Sequence, residues 1–525
     1  MRTTRRPWPK RSRTFLLLLL GILVLPTLFR LFVIGRFDLG NDEAHYYMYA
    51  VHPALSYFDH PFMVALLIHT GMALSGTTAF GVRVFAPVLF FLSSLILAMI
   101  ALVLLPRPRV VLWSLILVNA IPLFGYLGSM LILPDSALSV FWLLYILVAL
   151  VLFTRYEEIP RGSRTQGWII LGTLFGLSLL SKYNGILLAP ATALFLLTTP
   201  RLRGLLKSPA PYLALLLGVI VATPLLLWNI ENGGASFLFQ AAHGLGGGGF
   251  HFDWVPFYQM VFGQVGYVSP ILFFVIAGVL WTLARKGGAI SWLPISREKV
   301  SFLLWFALFP LLFFNLIGLI HPILPHWPAM GYLTAIPLVA LFMESREGSG
   351  TRAWIVRGTW LGIVMSLLVT LQLFFRPVLL PARVPLWVDI TNDLFGFRRL
   401  AVAIWAEMGR HPDLVTTPFF FAAEHFNTAD ELAFYLGRPY HTICLSQGVT
   451  QFDFWTDPHR MIGKNGLFVS TDKYRVDPAT YYPRGTFDRV IPLSPLVILR
   501  RGKPARIFYL YWLIGLRQVP FRPQH

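Results

Sequence analysis

The sequence predicts a polytopic α-helical membrane protein, with about eleven transmembrane helices and a C-terminal extracytoplasmic mixed α/β domain. Three observations carry that expectation. Of 525 residues, 56% are hydrophobic and only 13% are charged. Apolar runs of about 20 residues, enough for a helix to cross a bilayer, recur along the first two thirds. After residue 376 the composition changes and no run of that length follows.

The N-terminus, MRTTRRPWPKRSRTFLLLLLGILVLP, is basic and then apolar, as a secretory signal is. It lacks a small-x-small cleavage site and its apolar run continues to Ile34, so it reads as a retained first span over 15–34. Further spans are expected near 80–105, 109–128, 135–154, 168–181, 184–199, 210–228, 257–284, 301–320, 328–343 and 354–376. The pair 168–181 and 184–199 is short, about 20 Å each as helices, which predicts kinked or sunken segments beneath a cavity.

Lys and Arg set the orientation. With the N-terminus in the cytoplasm, the inside loops are 106–109, 155–166, 200–207, 285–299 and 344–352, all rich in Lys or Arg. The outside loops, 35–79, 129–134, 181–185, 229–256 and 321–327, carry few. The net charge of +19 therefore reports topology and contact with anionic headgroups, not a nucleic-acid partner. The GGGG run at 246–249 predicts a flexible outer loop within 229–256, a candidate lid. The lone Cys444 excludes an internal disulfide and a cysteine-based metal cluster.

Residues 1–376 thus form the transmembrane domain and 377–525 the C-terminal domain. The latter holds strand-like strings, LVTTPFFFAA, GLFVS and ARIFYLYWLIGL, and one helix signal, NTADELAFYLG (427–437), with acids early and a glycine stop.

The chemistry-bearing residues gather on the outside loops. The stretch GNDEAHYYMYAVHPALSYFDHP (40–61) packs Asp42, Glu43, Asp59, three histidines and four tyrosines behind the first span. Asp135 lies in LPDSAL, Lys182 in SKYNG, Glu231 in WNIENGG, and His321 and His326 in HPILPHW. Ionisable groups at a membrane edge are functional candidates, because placing them against lipid costs several kcal/mol. Asp42 and Glu43 suit a general base, since adjacent carboxylates raise each other's pKa; a helix N-terminus also selects acids. Asp59 beside His60 can set an imidazole's charge, whereas Tyr57, His60, His321 and His326 are also residue types of an interfacial belt. Asp135 equally suits a helix cap. Lys182 runs against the positive-inside rule and would suit an anionic phosphate. No nucleotide-binding pattern appears, so a donor for an outside site would arrive through the membrane.

These motifs resemble the GT-C superfamily of polyprenyl-phosphate-sugar glycosyltransferases. The similarity is to the bacterial branch of the protein O-mannosyltransferase-like group, which includes the aminoarabinose and galacturonic acid transferases that decorate lipid A. The matching strings are GNDEAHYY (40–47), SYFDHP (56–61), LPDSAL (133–138), SKYNG (181–185) and PHWPAMGYL (325–333), within residues 15–376. The resemblance implies a GT-C fold and the roles of several residues. Asp42 would be the catalytic base, with Glu43 structural or assisting. Asp135 would be the second acidic position. Lys182 would lie near the donor phosphate, with His60, Asp59, Tyr57 and Tyr46 on the donor side. Glu231 and His326 fall to acceptor or lid. The aminoarabinose transferases carry Lys where this chain has His60, and a neutral imidazole is a poorer phosphate ligand.

The expected activity is inverting transfer of one sugar from a polyprenyl phosphate, such as undecaprenyl phosphate, to lipid A or another envelope acceptor. The expected site is the periplasmic face of a bacterial inner membrane. A protein acceptor is the alternative, and a lipid-linked sugar transporter or flippase the rival class; the one-sided clustering of polar residues and the absence of repeats favour the enzyme. A phosphate leaving group needs charge stabilisation, which Lys182 can supply, so no obligatory metal is expected, with a divalent cation as the other way to meet that need.

Overall fold

The computed structural model describes residues 12–245, 254–292, 294–344, 349–381, 383–415 and 419–521. The basic N-terminal residues 1–11 and the GGGG run lie outside the described residues. The chain divides into two compact units, one of Met1–Phe32 with Val84–Ser366 and one of Val33–Arg83 with Leu367–His525. The first outside loop, grouped by sequence with the spans, is therefore packed with the C-terminal segment.

In the first unit, every predicted apolar run is helical over most of its length. Five helices are long and apolar enough to cross a membrane unbroken: Arg13–Val33, Ala79–Leu104, Pro134–Thr154, Arg297–Ile317 and Gly350–Phe375. Three pairs are bent, by 75° between Pro108–Ala120 and Leu123–Met130, by 55° between Ala210–Val221 and Thr223–Glu231, and by 101° between Trp254–Val268 and Pro270–Arg285. Counting each pair once gives eight. The remaining predicted runs are Arg161–Ser181 and the shorter helices Tyr183–Thr198 and Ala329–Glu344. Length and composition thus support five to eight crossings where the sequence suggests about eleven.

The bends have local causes. The run 257–284 reads as one span but breaks at Ser269, which takes a positive φ of 83°, and restarts with Pro270 in the first turn of the next helix. The 75° break passes through a π-helical turn, Leu123–Leu127. Arg30, buried on the first helix, holds it: its guanidinium donates to the Gly125 carbonyl at 2.7 Å and to Asn119 Oδ1 at 2.8 Å. A Cβ on Gly125 would stand 1.9 Å from the Asn119 carbonyl oxygen, so only glycine fits there.

Close helix approach does the rest, since lipid supplies no hydrophobic drive between spans. Gly172 and Gly176, a small-xxx-small pair on Arg161–Ser181, face Ala210–Val221. A Cβ at Gly172 would lie 2.4 Å from the Ala214 carbonyl oxygen, and one at Gly176 2.6 Å from that of Gly218. Two large buried side chains inside the bundle pair their polar tips: Trp142 Nε1 donates to Thr334 at 2.9 Å, and Tyr145 bonds Thr192 at 2.8 Å.

The second unit contains a six-stranded mixed sheet: β1 (Phe420–Ala423), β2 (Thr442–Cys444), β3 (Gly466–Thr471), β4 (Phe487–Pro492), β5 (Leu496–Arg500) and β6 (Lys503–Leu516), in the order β2-β1-β3-β6-β4. β1 pairs in parallel with β2 and β3, and β6 runs antiparallel to β3. The long β6 takes β4 along its C-terminal half and β5 along its N-terminal half, so one strand joins three neighbours. Arg501 and Gly502, both at positive φ, close the tight β5–β6 hairpin. The three strand-like strings become β1, β3 and β6. The predicted helix is Phe426–Leu436, stopped by Gly437 at φ 64°.

The loop 33–83 holds Asn41–Val51 and the apolar Met63–Ser75, the second not anticipated from sequence, before the short helix Ala79–Arg83 that leads into the next span. Asn41–Val51 buries eight of its eleven residues, much of that face against Phe426–Leu436. This packing explains why the loop 33–83 joins the C-terminal segment.

Candidate active site

Asn41–Val51 begins with a capping arrangement in which Glu43 reaches back to the Gly40 N–H at 2.9 Å. The same carboxylate is gripped by Arg83, whose Nε donates to Oε1 at 2.8 Å and whose Nη2 lies 2.5 Å from Oε2. Arg83 also donates to the carbonyls of Ile34, Phe37 and Asp38 at 2.8, 3.1 and 2.7 Å. Both side chains are almost fully buried. Glu43 is therefore an anchor that sets the start of the helix, its carboxylate held by Arg83 and the Gly40 N–H.

Asp42 is placed differently. It is exposed on one side and takes part in no side-chain hydrogen bond or ion pair among the described residues. The protein packed around it disfavours the charged form and raises its pKa. Asp59 and Glu43 add to the rise, while His45 and Lys473 oppose it. The other loop acids are committed. Asp38 accepts from the Gly396 N–H at 2.8 Å, and Asp59 accepts from the Tyr49 hydroxyl.

The rest of the 40–61 stretch forms an aromatic and charged cluster. Tyr57 stacks on Tyr49 with centroids 3.9 Å apart and donates its hydroxyl to the Tyr49 carbonyl at 2.8 Å. At 1% exposure Tyr57 is buried within the cluster. Tyr46, also buried, sets its edge toward His60 at 5.7 Å. His60 is half-buried in a tight turn in which the Tyr57 N–H donates to its carbonyl. Burial opposes charge on Asp59, but His45 and His60 outweigh it and hold its carboxyl well below the usual carboxylate range.

Several contributors come from the C-terminal segment, and sequence reasoning missed them. Asp430, fully buried, lies 2.7 Å from His45 Nδ1. Gln451 accepts from the Phe58 N–H at 2.5 Å, and Trp455 stacks on His52 at 4.8 Å. Lys473, which acts on Asp42, pairs with Asp393 at 2.8 Å. Arg83 carried a readable signal. It is a lone cation at the head of an apolar run on the side expected to lack them, as Lys182 is.

The first unit holds the other predicted residues. Lys182 follows the end of Arg161–Ser181, and Asp135 sits in the first turn of Pro134–Thr154. They form an ion pair at 2.6 Å, Lys182 being the more buried. In the SKYNG turn, Tyr183 hydrogen-bonds the Ser236 hydroxyl, and Asn184 donates to the Trp327 carbonyl at 3.3 Å. The turn is thereby tied to the segment that carries the half-buried His326. Glu231 is exposed at the end of Thr223–Glu231. Among the described residues no group of three or more His, Cys, Asp or Glu side chains is arranged to hold a metal ion.

Residues 59–228 match the family described as dolichyl-phosphate-mannose-protein mannosyltransferase. The chain is 27% identical over 381 residues to the lipid A galacturonosyltransferase RgtD of Rhizobium johnstonii, covering 70% of this chain and 73% of that one. Its fold matches ArnT from Cupriavidus metallidurans bound to undecaprenyl phosphate, with a TM-score of 0.60 and 16% identity over 95% of this chain and 98% of that one. Against ArnT in the apo state the TM-score is 0.59. The resemblance to the bacterial branch of the GT-C superfamily, drawn from five short motifs, holds in sequence and in fold.

Proposed function

We propose that this chain, a glycosyltransferase of the GT-C superfamily, moves a single sugar from a polyprenyl phosphate to lipid A at the periplasmic face of a bacterial inner membrane, with inversion. The observation that carries the assignment of the base is Asp42: alone among the acids of its loop, it has a carboxylate uncommitted and open, with a raised pKa. It would take the proton of the acceptor hydroxyl as that oxygen attacks the anomeric carbon and the polyprenyl phosphate departs. The similarity to a lipid A galacturonosyltransferase supports the acceptor, and the fold shared with an undecaprenyl-phosphate-bound protein supports the donor. A protein acceptor is the second reading, favoured by the family match over 59–228.

Lipid A and the envelope glycoproteins of cells with and without the gene, compared by mass spectrometry, test both readings. Loss of one sugar from lipid A is expected; loss from a protein alone would transfer the assignment to the second reading.

Lys182 would supply the positive charge that the leaving phosphate needs, with no obligatory metal. Its partner Asp135 holds the ammonium in place at 2.6 Å. Lys182→Met is expected to lower kcat/KM for the polyprenyl donor about 10- to 100-fold, the worth of a charge-assisted hydrogen bond of about 1.5–3 kcal/mol. Steady-state kinetics with varied donor checks it, and an unchanged value would remove Lys182 from the donor site.

A further inference from the structure

We infer that Asp430, from the C-terminal segment, is a positioning residue for the transfer: with Asp59 it clamps His45 as an imidazolium one helical turn from Asp42. This rests on the reading of Asp42 as the base. Asp42 and His45, three residues apart on Asn41–Val51, share a helix face. His45 is 5% exposed. Its Nδ1 lies 2.7 Å from Asp430 Oδ2, and its Nε2 lies 3.6 Å from Asp59 Oδ2. A neutral imidazole has a proton on one nitrogen only and would turn a lone pair toward one of these carboxylates; the imidazolium presents N–H to both. Phe426 and Tyr49, with ring centroids 5.1 and 4.9 Å from that of His45, close off its sides, and Trp455 stands at 6.2 Å.

The charged groups facing this cluster come from four elements. Asp42 and Glu43 lie on the same helix as His45, and Glu43 is neutralised by Arg83. Asp59, bonded to Tyr49, and His60 lie in the following turn. Asp430 lies on Phe426–Leu436, and Lys473 follows β3. Burial works against charge on His45, but Asp430 and Asp59 outweigh it and push the pKa up to about 10. Burial pushes the Asp430 carboxyl up, and the His45 ring beside it pulls it back down. Burial and the neighbouring acids raise the Asp42 pKa, and His45 is the strongest influence that lowers it; without that cation the base would hold its proton to higher pH. The C-terminal segment would then act as part of the reaction centre.

The sign follows. In Asp430→Asn the buried imidazole loses its strongest support and becomes neutral. Asp42 loses the nearest cation, its pKa rises, and the acid limb of the rate profile moves to higher pH. The test uses the full-length protein in detergent, with undecaprenyl-phosphate-linked galacturonate and lipid A as probes. Rate profiles against pH are measured for wild type, Asp430→Asn and His45→Gln, alongside nitrogen-15 spectra of the histidine rings, with His45→Gln assigning the signal. The wild-type His45 is expected to stay an imidazolium through neutral pH, and both variants are expected to shift the acid limb up by about one unit. A His45 that stays protonated in Asp430→Asn, or is neutral in wild type, overturns the clamp. Should Asp430→Asn fail to fold, a His45→Gln profile that superimposes on wild type overturns it equally. The ring spectra report the clamp without turnover, whereas full activity in Asp42→Asn would strike only the base assignment.

Discussion

Asp42→Asn is expected to lower the transfer rate about 10²- to 10⁴-fold, the usual contribution of a positioned general base. The amide keeps the size and the helix-start geometry but accepts no proton. Asp42 makes no hydrogen bond or ion pair among the described residues, so its replacement leaves the fold intact. Thermal unfolding in detergent should match wild type, while turnover with a polyprenyl-phosphate sugar collapses and donor binding persists. In wild type the raised pKa of Asp42 makes the rate fall as pH drops through that pKa, because the proton then occupies the base. A folded Asp42→Asn variant turning over at the wild-type rate would end the assignment.

Arg83→Ala should produce the largest loss of stability of any single change in the loop. Arg83 is fully buried, ion-paired to Glu43, bonded to three backbone carbonyls and set over the Phe37 ring at 4.1 Å. Removing it strands the Glu43 carboxylate and three carbonyls in a site closed to water. Breaking one side of a buried pair costs about 3–5 kcal/mol. Because the pair fixes the first turn that carries Asp42, activity should vanish with the fold. The double variant Glu43→Ala/Arg83→Ala should lose less than the sum of the single losses, since no charge is then left unpaired. Additive losses, read from denaturation midpoints, would show that the two residues act independently.

Much of the site was legible because its motifs are local. Asp42, at the start of a helix just past the first apolar run, and the charges Asp135 and Lys182, each beside an apolar run, stand out in a chain with only 13% charged residues. The roles within the acidic pair were not legible. Asp42 and Glu43 are adjacent and chemically alike, and Arg83, forty residues away, decides which one is consumed in structure. Asp430 and Glu431 read as acids of a helix's early turns, yet both are fully buried, and Asp430 serves a histidine 385 residues earlier. The bends escaped for a related reason. Hydropathy records how apolar a run is, and the 101° turn at Ser269 lies inside a run that stays apolar throughout.

The sequence by itself determined that the chain is a helical membrane protein with a C-terminal α/β segment, and where its acids and lone cations fall. Those properties follow from residue type and short-range spacing, which act through hydrophobic transfer and local hydrogen bonds. Tertiary structure alone decided that the loop 33–83 packs with 367–525, that Arg83 claims Glu43, and that Asp430 reaches His45. The last two are buried polar contacts between residues far apart in sequence. Their worth depends on the exclusion of water, which no stretch of sequence creates until the chain has folded around them.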